Sequence, residues 1–72
     1  MMFEQRYRPG RDAENEARAI VRLRHPTATS AYCGSGAVVY DDVTGKMLGS
    51  ATTGDWAVEM AWQDAATRAS QA

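Results

Sequence analysis

The chain is poor in the residues that form covalent cross-links and metal sites, since its 72 residues include one cysteine and one histidine. A single thiol, Cys33, cannot form an internal disulfide or a cysteine-based metal site, which favours a reducing setting. No apolar run exceeds the length of a strand, so the sequence predicts no membrane-spanning helix. The first residues lack the apolar stretch of a signal peptide. We therefore expect a soluble cytoplasmic protein with no membrane partner.

The sequence also lacks a set of residues typical of catalysis. His25 precedes a proline at a predicted helix end and Cys33 ends a predicted strand, and neither has an evident activating partner. Asp41 and Asp42 are typical of a hairpin turn rather than of a calcium loop. The glycine-containing segment 34–36 precedes a strand and not the helix that a phosphate cradle requires. We expect a non-enzymatic protein that takes no cofactor and no metal ion.

The length of the chain limits it to one small domain. Its hydrophobic content of 44% is ordinary for a globular protein, which favours a folded chain over a disordered one. A chain of this size buries only about 60% of the surface that its unfolded form exposes. It therefore has little stability to spare for a deep catalytic pocket, and we expect it to bind a partner or to form a homodimer.

Charge is distributed unevenly along the chain. Residues 1–25 carry six arginines and four acidic residues, whereas residues 26–72 carry two basic and five acidic ones. Glu14 is placed to pair with Arg18 at the spacing i, i+4, on the outward side of a helix. Two interpretations are open for the arginines of the first helix and for the one that precedes it by a turn: a solvated face, or contact with nucleic acid or an acidic partner. The arginines in question are Arg11, Arg18 and Arg22.

The first third of the chain predicts an arm followed by a helix. Pro9 with the glycine after it is a turn signal, so we expect residues 1–11 to form an N-terminal arm and residues 12–72 a single domain. Asp12 is a good helix N-cap, and Pro26 predicts the end of that helix. A strand over residues 19–24 is the alternative, because two β-branched residues stand there.

The middle of the chain predicts three short strands, over residues 27–33, 37–41 and 46–52. The first suits a sheet edge, and the second and third are joined by a loop with Gly45 at its exit, where a positive φ is expected. An alanine-rich helix follows. The order predicts an α+β fold, a two-layer α-β-β-β-α sandwich in which two helices cover one face of an antiparallel three-stranded meander.

The last helix carries the features we favour as a partner-binding surface. At 100° per residue, one arc should face the sheet: Val58, Ala61, Trp62, Ala65 and Ala69. Trp56 and Met60 fall outside that arc, and an outward tryptophan is typical of binding hot spots. The alternative is that Trp56 folds back over the preceding bend and is buried. Three acidic residues complete the predicted surface: Asp55, Glu59 and Asp64. Together with Asp41 and Asp42 they suit a basic channel of a partner, and the alternative is an ordinary solvated surface.

The C-terminal third resembles the double-stranded RNA-binding domain. The resemblance rests on Gly45 with Lys46, on Gly49, and on the spaced alanines of the last helix, namely Ala61, Ala65, Ala66 and Ala69. It implies the same topology. The family's phosphate-binding lysine pair is replaced here by Val58 and Glu59, and its minor-groove loop is reduced to residues 34–36. The resemblance therefore implies the fold without the family's RNA contacts.

Two functions follow as expectations. The first is a non-enzymatic binding protein that acts by protein–protein contact. In size and character it resembles phage or mobile-element inhibitors of host nucleic-acid machines, such as anti-CRISPR proteins. The alternative is a nucleic-acid-binding module that uses the arginines of the arm and first helix, in which case binding should weaken steeply with salt.

Overall fold

The computed structural model describes residues 10–52 and 56–71, as a helix, three strands and a second helix. The elements in chain order are α1 (Gly10–Arg24), β1 (Ala28–Cys33), β2 (Gly36–Asp41), β3 (Met47–Ala51) and α2 (Ala57–Gln71). The strands form an open antiparallel sheet in the order β1-β2-β3. The predicted α+β class and α-β-β-β-α order are confirmed.

Helix α1 differs from its prediction at one end. It begins at Gly10, so Asp12 lies in its first turn and is not the N-cap, although an acid there still suits the positive end of the helix dipole. Residues 19–24 are helical, so the strand alternative is wrong. The helix stops before Pro26, as expected. The arm's residues 1–9 lie outside the described residues.

The two hairpins follow their turn chemistry. Gly34 has a φ of 65° between β1 and β2, and Gly45 has a φ of 76° before β3, and both values lie in the region that glycine adopts without steric cost. Strand β1 is an edge strand, as predicted. A bulge between Val39 and Tyr40 shifts the β2–β3 register, so that Val39 pairs with Gly49 and Tyr40 with Met47.

Helix α2 lies on the sheet, and α1 makes most of its contacts with α2 rather than with the strands. This arrangement widens the buried arc of α2, because that helix has two partners. Ala57 and Ala66 are buried together with the predicted Ala61, Trp62 and Ala65. Val58 and Ala69, which were also expected to face the sheet, are half-buried.

Large side chains are few in the core, where three are almost fully inaccessible: Trp62, Val21 and Val39. Most of the other core residues are alanines from α1, β1, β2 and α2, and β3 contributes Leu48. Small side chains let α2 lie close to the sheet, and Trp62 fills the space where α1 meets α2. This packing decides where the arginines of α1 lie.

Candidate functional site

Arg18 and Arg22 lie against the core tryptophan. The guanidinium carbon of Arg18 is 4.9 Å from the centroid of the Trp62 ring, and that of Arg22 is 5.4 Å away. Both distances fall within the range of cation–π interaction. Arg22 also donates from Nε and Nη2 to the carbonyl oxygen of Ala28, at 3.3 and 3.1 Å. Two of the three arginines predicted to meet a partner therefore join α1 to α2 and to β1.

The ion pair predicted between Glu14 and Arg18 is present, but its place differs from the prediction. The Glu14 side chain is only 15% exposed, and Arg18 lies over Trp62, so the pair belongs to the helix–helix junction and not to the outward face. The reason is that α1 packs on α2, which turns this side of α1 inward. The third predicted arginine, Arg11, is helical, and its side chain is outside the described part of the structure.

Asp64, one of the predicted partner contacts, binds within the fold. Its Oδ2 accepts a hydrogen bond from the backbone N–H of Ser50 at 3.0 Å and lies 3.1 Å from Nε of Arg68, one turn along α2. Strand β3 is an edge of the sheet, and an edge N–H without a partner is a site for unwanted strand pairing. The carboxylate of Asp64 therefore fastens α2 to that edge.

The remaining predicted contacts lie near the start of α2. Met60 is 49% exposed, whereas Glu59 is half-buried. Trp56 is also half-buried, which falls between the exposed and folded-back alternatives, and its carbonyl accepts a hydrogen bond from the N–H of Met60 at 2.8 Å. Asp55 lies outside the described residues. Their role as partner contacts stays a prediction.

A polar cluster ties the end of α1 to the β2–β3 hairpin. The buried carboxylate of Asp41 accepts hydrogen bonds at Oδ1 from Thr27 Oγ1 at 2.9 Å and from the N–H groups of Val43 and Thr44 at 2.8 and 3.1 Å. These bonds, led by that from Thr44, hold the pKa of Asp41 below its usual value, against the opposing effect of burial. His25 Nδ1 lies 3.8 Å from Oδ2 of the same carboxylate. The prediction that Asp41 stabilises the hairpin turn through its side chain is thus confirmed.

Beside this cluster lies a pocket of about 250 Å³. Four basic side chains line it and come from separate parts of the chain: Arg24 and His25 at the end of α1, Lys46 before β3, and Arg68 in α2. Its other lining residues are apolar and include Leu48 and Ala65, and within residues 10–52 and 56–71 no acidic residue lines it. We call these eight lining residues the basic pocket.

Two of the pocket's cations have no charged partner among the described residues. Arg68 is paired with Asp64, and His25 is near Asp41, but no described ion pair or side-chain hydrogen bond holds Arg24 or Lys46. In a chain of net charge −1, this is a local excess of positive charge in a concave site. The site is therefore suited to an anionic group.

Exposed apolar residues are found in the chain segments that supply the basic pocket, and one of them lines it. Leu23, beside Arg24, is 84% exposed, and Val43, in the loop that carries Lys46, is 76% exposed. Met47 is 53% exposed and lines the pocket itself. An exposed apolar side chain such as Met47 in a charged concavity is typical of a binding surface. We call the set of Arg24, Lys46 and Met47, together with the exposed Leu23 and Val43 of the same chain segments, the basic end.

Sequence reasoning missed this site. None of the predicted site residues whose side chains the structure describes lines the basic pocket. The signal available was the basic residue in the last turn of each helix, together with Lys46 after a hairpin glycine. Arg24 has no part in the site predictions from the sequence, and Lys46 enters only the family resemblance, because their convergence depends on tertiary structure.

Comparisons with known proteins supply no relative, since no protein-family model, curated protein or solved structure matches the chain. The resemblance to the double-stranded RNA-binding domain therefore stays a prediction. None of the helices described is long and apolar enough to cross a bilayer. Within the same residues, no group of three or more His, Cys, Asp or Glu side chains is placed to hold a metal ion.

Proposed function

We propose that this chain is a non-enzymatic protein-binding module whose partner presents an acidic surface to the basic end. The observation that carries the proposal is the basic pocket, in which Arg24 and Lys46 lack a charged partner among the described residues. Complementary charge speeds association and selects partners, while buried apolar contacts supply most of the affinity. Arg24 and Lys46 offer the positive charge. The exposed side chains of Leu23, Val43 and Met47 offer the apolar contact area.

This proposal keeps the protein–protein contact expected from the sequence and moves it to another surface. The predicted contacts at Met60 and Glu59 lie on the N-terminal half of α2, whereas the basic pocket meets α2 near Ala65 and Arg68. The finer expectation stays a prediction: that the chain is a cytoplasmic phage or mobile-element inhibitor of a host nucleic-acid machine, of the anti-CRISPR kind. A partner that itself handles nucleic acid would support it.

The nucleic-acid-binding alternative is less favoured by the geometry. It relied on the arginines of α1, and two of these, Arg18 and Arg22, lie over Trp62. Arginines engaged in this way are less free to neutralise phosphates, on which nucleic-acid affinity largely depends. Absence of binding to duplex RNA and DNA at low salt would agree with this view.

The test is capture from a bacterial lysate by the immobilised chain and by matched charge variants. We expect the wild-type chain and Arg11→Glu to capture the same acidic protein in stoichiometric amount. Arg24→Glu and Leu23→Ser should lose it, because they change the basic end. Arg11 and Arg24 stand on one helix, about 20 Å apart along its axis, so the two arginine variants make the same charge change at different places.

Circular dichroism melts would show that each variant is folded before capture is compared. Capture that survives Arg24→Glu but is lost in Met60→Ser would move the interface to the surface predicted from the sequence and contradict the proposal. Failure of the wild-type chain to capture any stoichiometric acidic partner would also contradict it.

A further inference from the structure

The chemistry of the basic pocket narrows the kind of anion that suits it. Arg24 and Lys46, which lack a charged partner among the described residues, supply two positive charges, and Arg68 and His25 stand beside them. A carboxylate brings one negative charge and two oxygens. A phosphate monoester brings a charge between about −1.5 and −2 at neutral pH and three acceptor oxygens. Two unpaired cations with further donors nearby therefore match a phosphate monoester better than a carboxylate.

Helix dipoles explain the positions of some of the basic residues that line the basic pocket, but not of all of them. Arg24 and Arg68 stand in the last turns of α1 and α2, where the negative end of the helix dipole favours cations. Lys46 belongs to neither helix, since it lies between β2 and β3. The dipoles therefore do not account for a third cation directed to the same concavity.

We propose that the basic pocket binds a phosphate monoester. Arg24 is the principal ligand, because a guanidinium donates two parallel hydrogen bonds to phosphate oxygens, and Lys46 is a second, point-like charge. This inference rests on the proposed function, because both take the basic pocket as the place where the partner binds. A phosphorylated side chain of that partner and a free nucleotide share this chemistry, and the experiment separates them.

The pocket has room for more than the phosphate itself. Its volume of about 250 Å³ is close to the lower end for small-ligand sites. Leu48 and Ala65 are buried apolar residues in its lining. The carbon body that carries the phosphate is expected to lie against these two residues, while the phosphate oxygens meet the cations.

The test is a titration of the isotope-labelled full chain followed by amide NMR shifts at constant ionic strength. The probes are O-phospho-L-serine, adenosine 5′-monophosphate and inorganic phosphate, with L-serine and chloride as controls. We expect saturable shifts of the amides of Arg24, Lys46 and Arg68 with at least one monoester, at a dissociation constant of about 1 mM or tighter. A higher affinity for phosphoserine would assign the source to a phosphorylated side chain, and a higher affinity for the nucleotide would assign it to a nucleotide.

Variants in which glutamine replaces a cationic side chain test whether the basic pocket binds the monoester. The double change Arg24→Gln with Lys46→Gln should weaken monoester binding about tenfold or more, while Arg11→Gln leaves it unchanged. Both replaced side chains of the double variant are exposed, so it should fold like the wild-type chain. Equal shifts with L-serine, no saturation with any monoester, or undiminished binding by the double variant would each overturn the inference.

The outcomes also separate this inference from the proposed function. If an acidic protein is captured through Arg24 but no monoester binds, the phosphate inference fails and the protein-binding function stands. If a monoester binds the pocket and no protein is captured, the protein-binding function fails instead.

Discussion

Gly49 of β3 and Ala65 of α2 are in direct backbone contact. A Cβ atom placed on Gly49 would lie 2.5 Å from the backbone nitrogen of Ala65 and 2.7 Å from its Cα and Cβ atoms. Real Cβ atoms do not approach backbone this closely, so the separation of helix and sheet at this point depends on glycine. The contact lies in the middle of the interface on which most of the core depends.

Gly49→Ala should destabilise the domain by about 1–3 kcal/mol or more, because the added methyl group has to push α2 away from β3. The measurement is urea unfolding followed by circular dichroism. Ala65→Gly alone should cost about 1 kcal/mol in helix propensity. Combined with Gly49→Ala, it should give a total loss smaller than the sum of the two single losses, since it removes the Cβ of Ala65, one of the clashing atoms. Strictly additive losses in the double variant would show that this Cβ atom takes no part in the clash.

Arg22 is predicted to stabilise the fold rather than to bind a partner. Arg22→Ala removes two hydrogen bonds to the Ala28 carbonyl and a contact with the Trp62 ring, and should lower the free energy of unfolding by about 1–2 kcal/mol. Arg22→Lys should recover little of this lost stability, because an ammonium lacks the planar set of N–H donors that a guanidinium has. Arg24→Ala is the matched control and should stay within about 0.5 kcal/mol of wild type. An unfolding curve that shifts for Arg24 and not for Arg22 would contradict this assignment.

The order of elements could be predicted from local signals. Pro26 ends α1, Gly34 and Gly45 mark the two hairpins, and spaced alanines mark α2. Each of these is a property of neighbouring residues in the chain, so no knowledge of tertiary structure is required. With Asp12 as the N-cap, the predicted helix starts three residues later than the observed α1, because an aspartate is equally suitable as a cap and as a first-turn acid.

The location of the site could not be predicted in the same way. Arg18 and Arg22 look like a solvated basic stripe until α1 is packed on α2, which brings them over Trp62. Arg24 and Lys46 are 22 residues apart in the chain and share a pocket only through the fold. A pattern of charges along a sequence does not say which charges the core uses internally.

Asp64 should matter to stability through its bond to the sheet edge. Asp64→Ala leaves the N–H of Ser50 without its acceptor and should cost about 1–2 kcal/mol of unfolding free energy. Asp64→Asn keeps an acceptor oxygen and loses only the exposed pair with Arg68, so it should cost less. Chemical denaturation of the two variants measures the difference. Equal losses for Ala and Asn would assign the effect to the charge and not to the bond with Ser50.

Asp41 should make the stability of the domain sensitive to acid. Hydrogen bonds from Thr44, Thr27 and Val43 lower the pKa of its carboxyl in the folded state, whereas in the unfolded chain the pKa is about 3.9. A lowered folded pKa means that the ionised group contributes stability above the unfolded pKa and loses it as the pH falls toward the folded pKa. Thermal melts between about pH 6 and pH 2.5 should therefore show a falling Tm below about pH 4.

Replacing the carboxylate tests whether Asp41 causes this acid sensitivity. Asp41→Asn should lower Tm at neutral pH and make the fall in acid shallower, because the amide accepts the same hydrogen bonds without a charge. The neighbouring Asp42 is exposed, so Asp42→Asn should leave both the neutral Tm and the acid slope close to wild type. If the fall of Tm with pH is unchanged in Asp41→Asn, other carboxylates govern the acid unfolding. The charge of Asp41 would then contribute little to the stability of the β2–β3 hairpin.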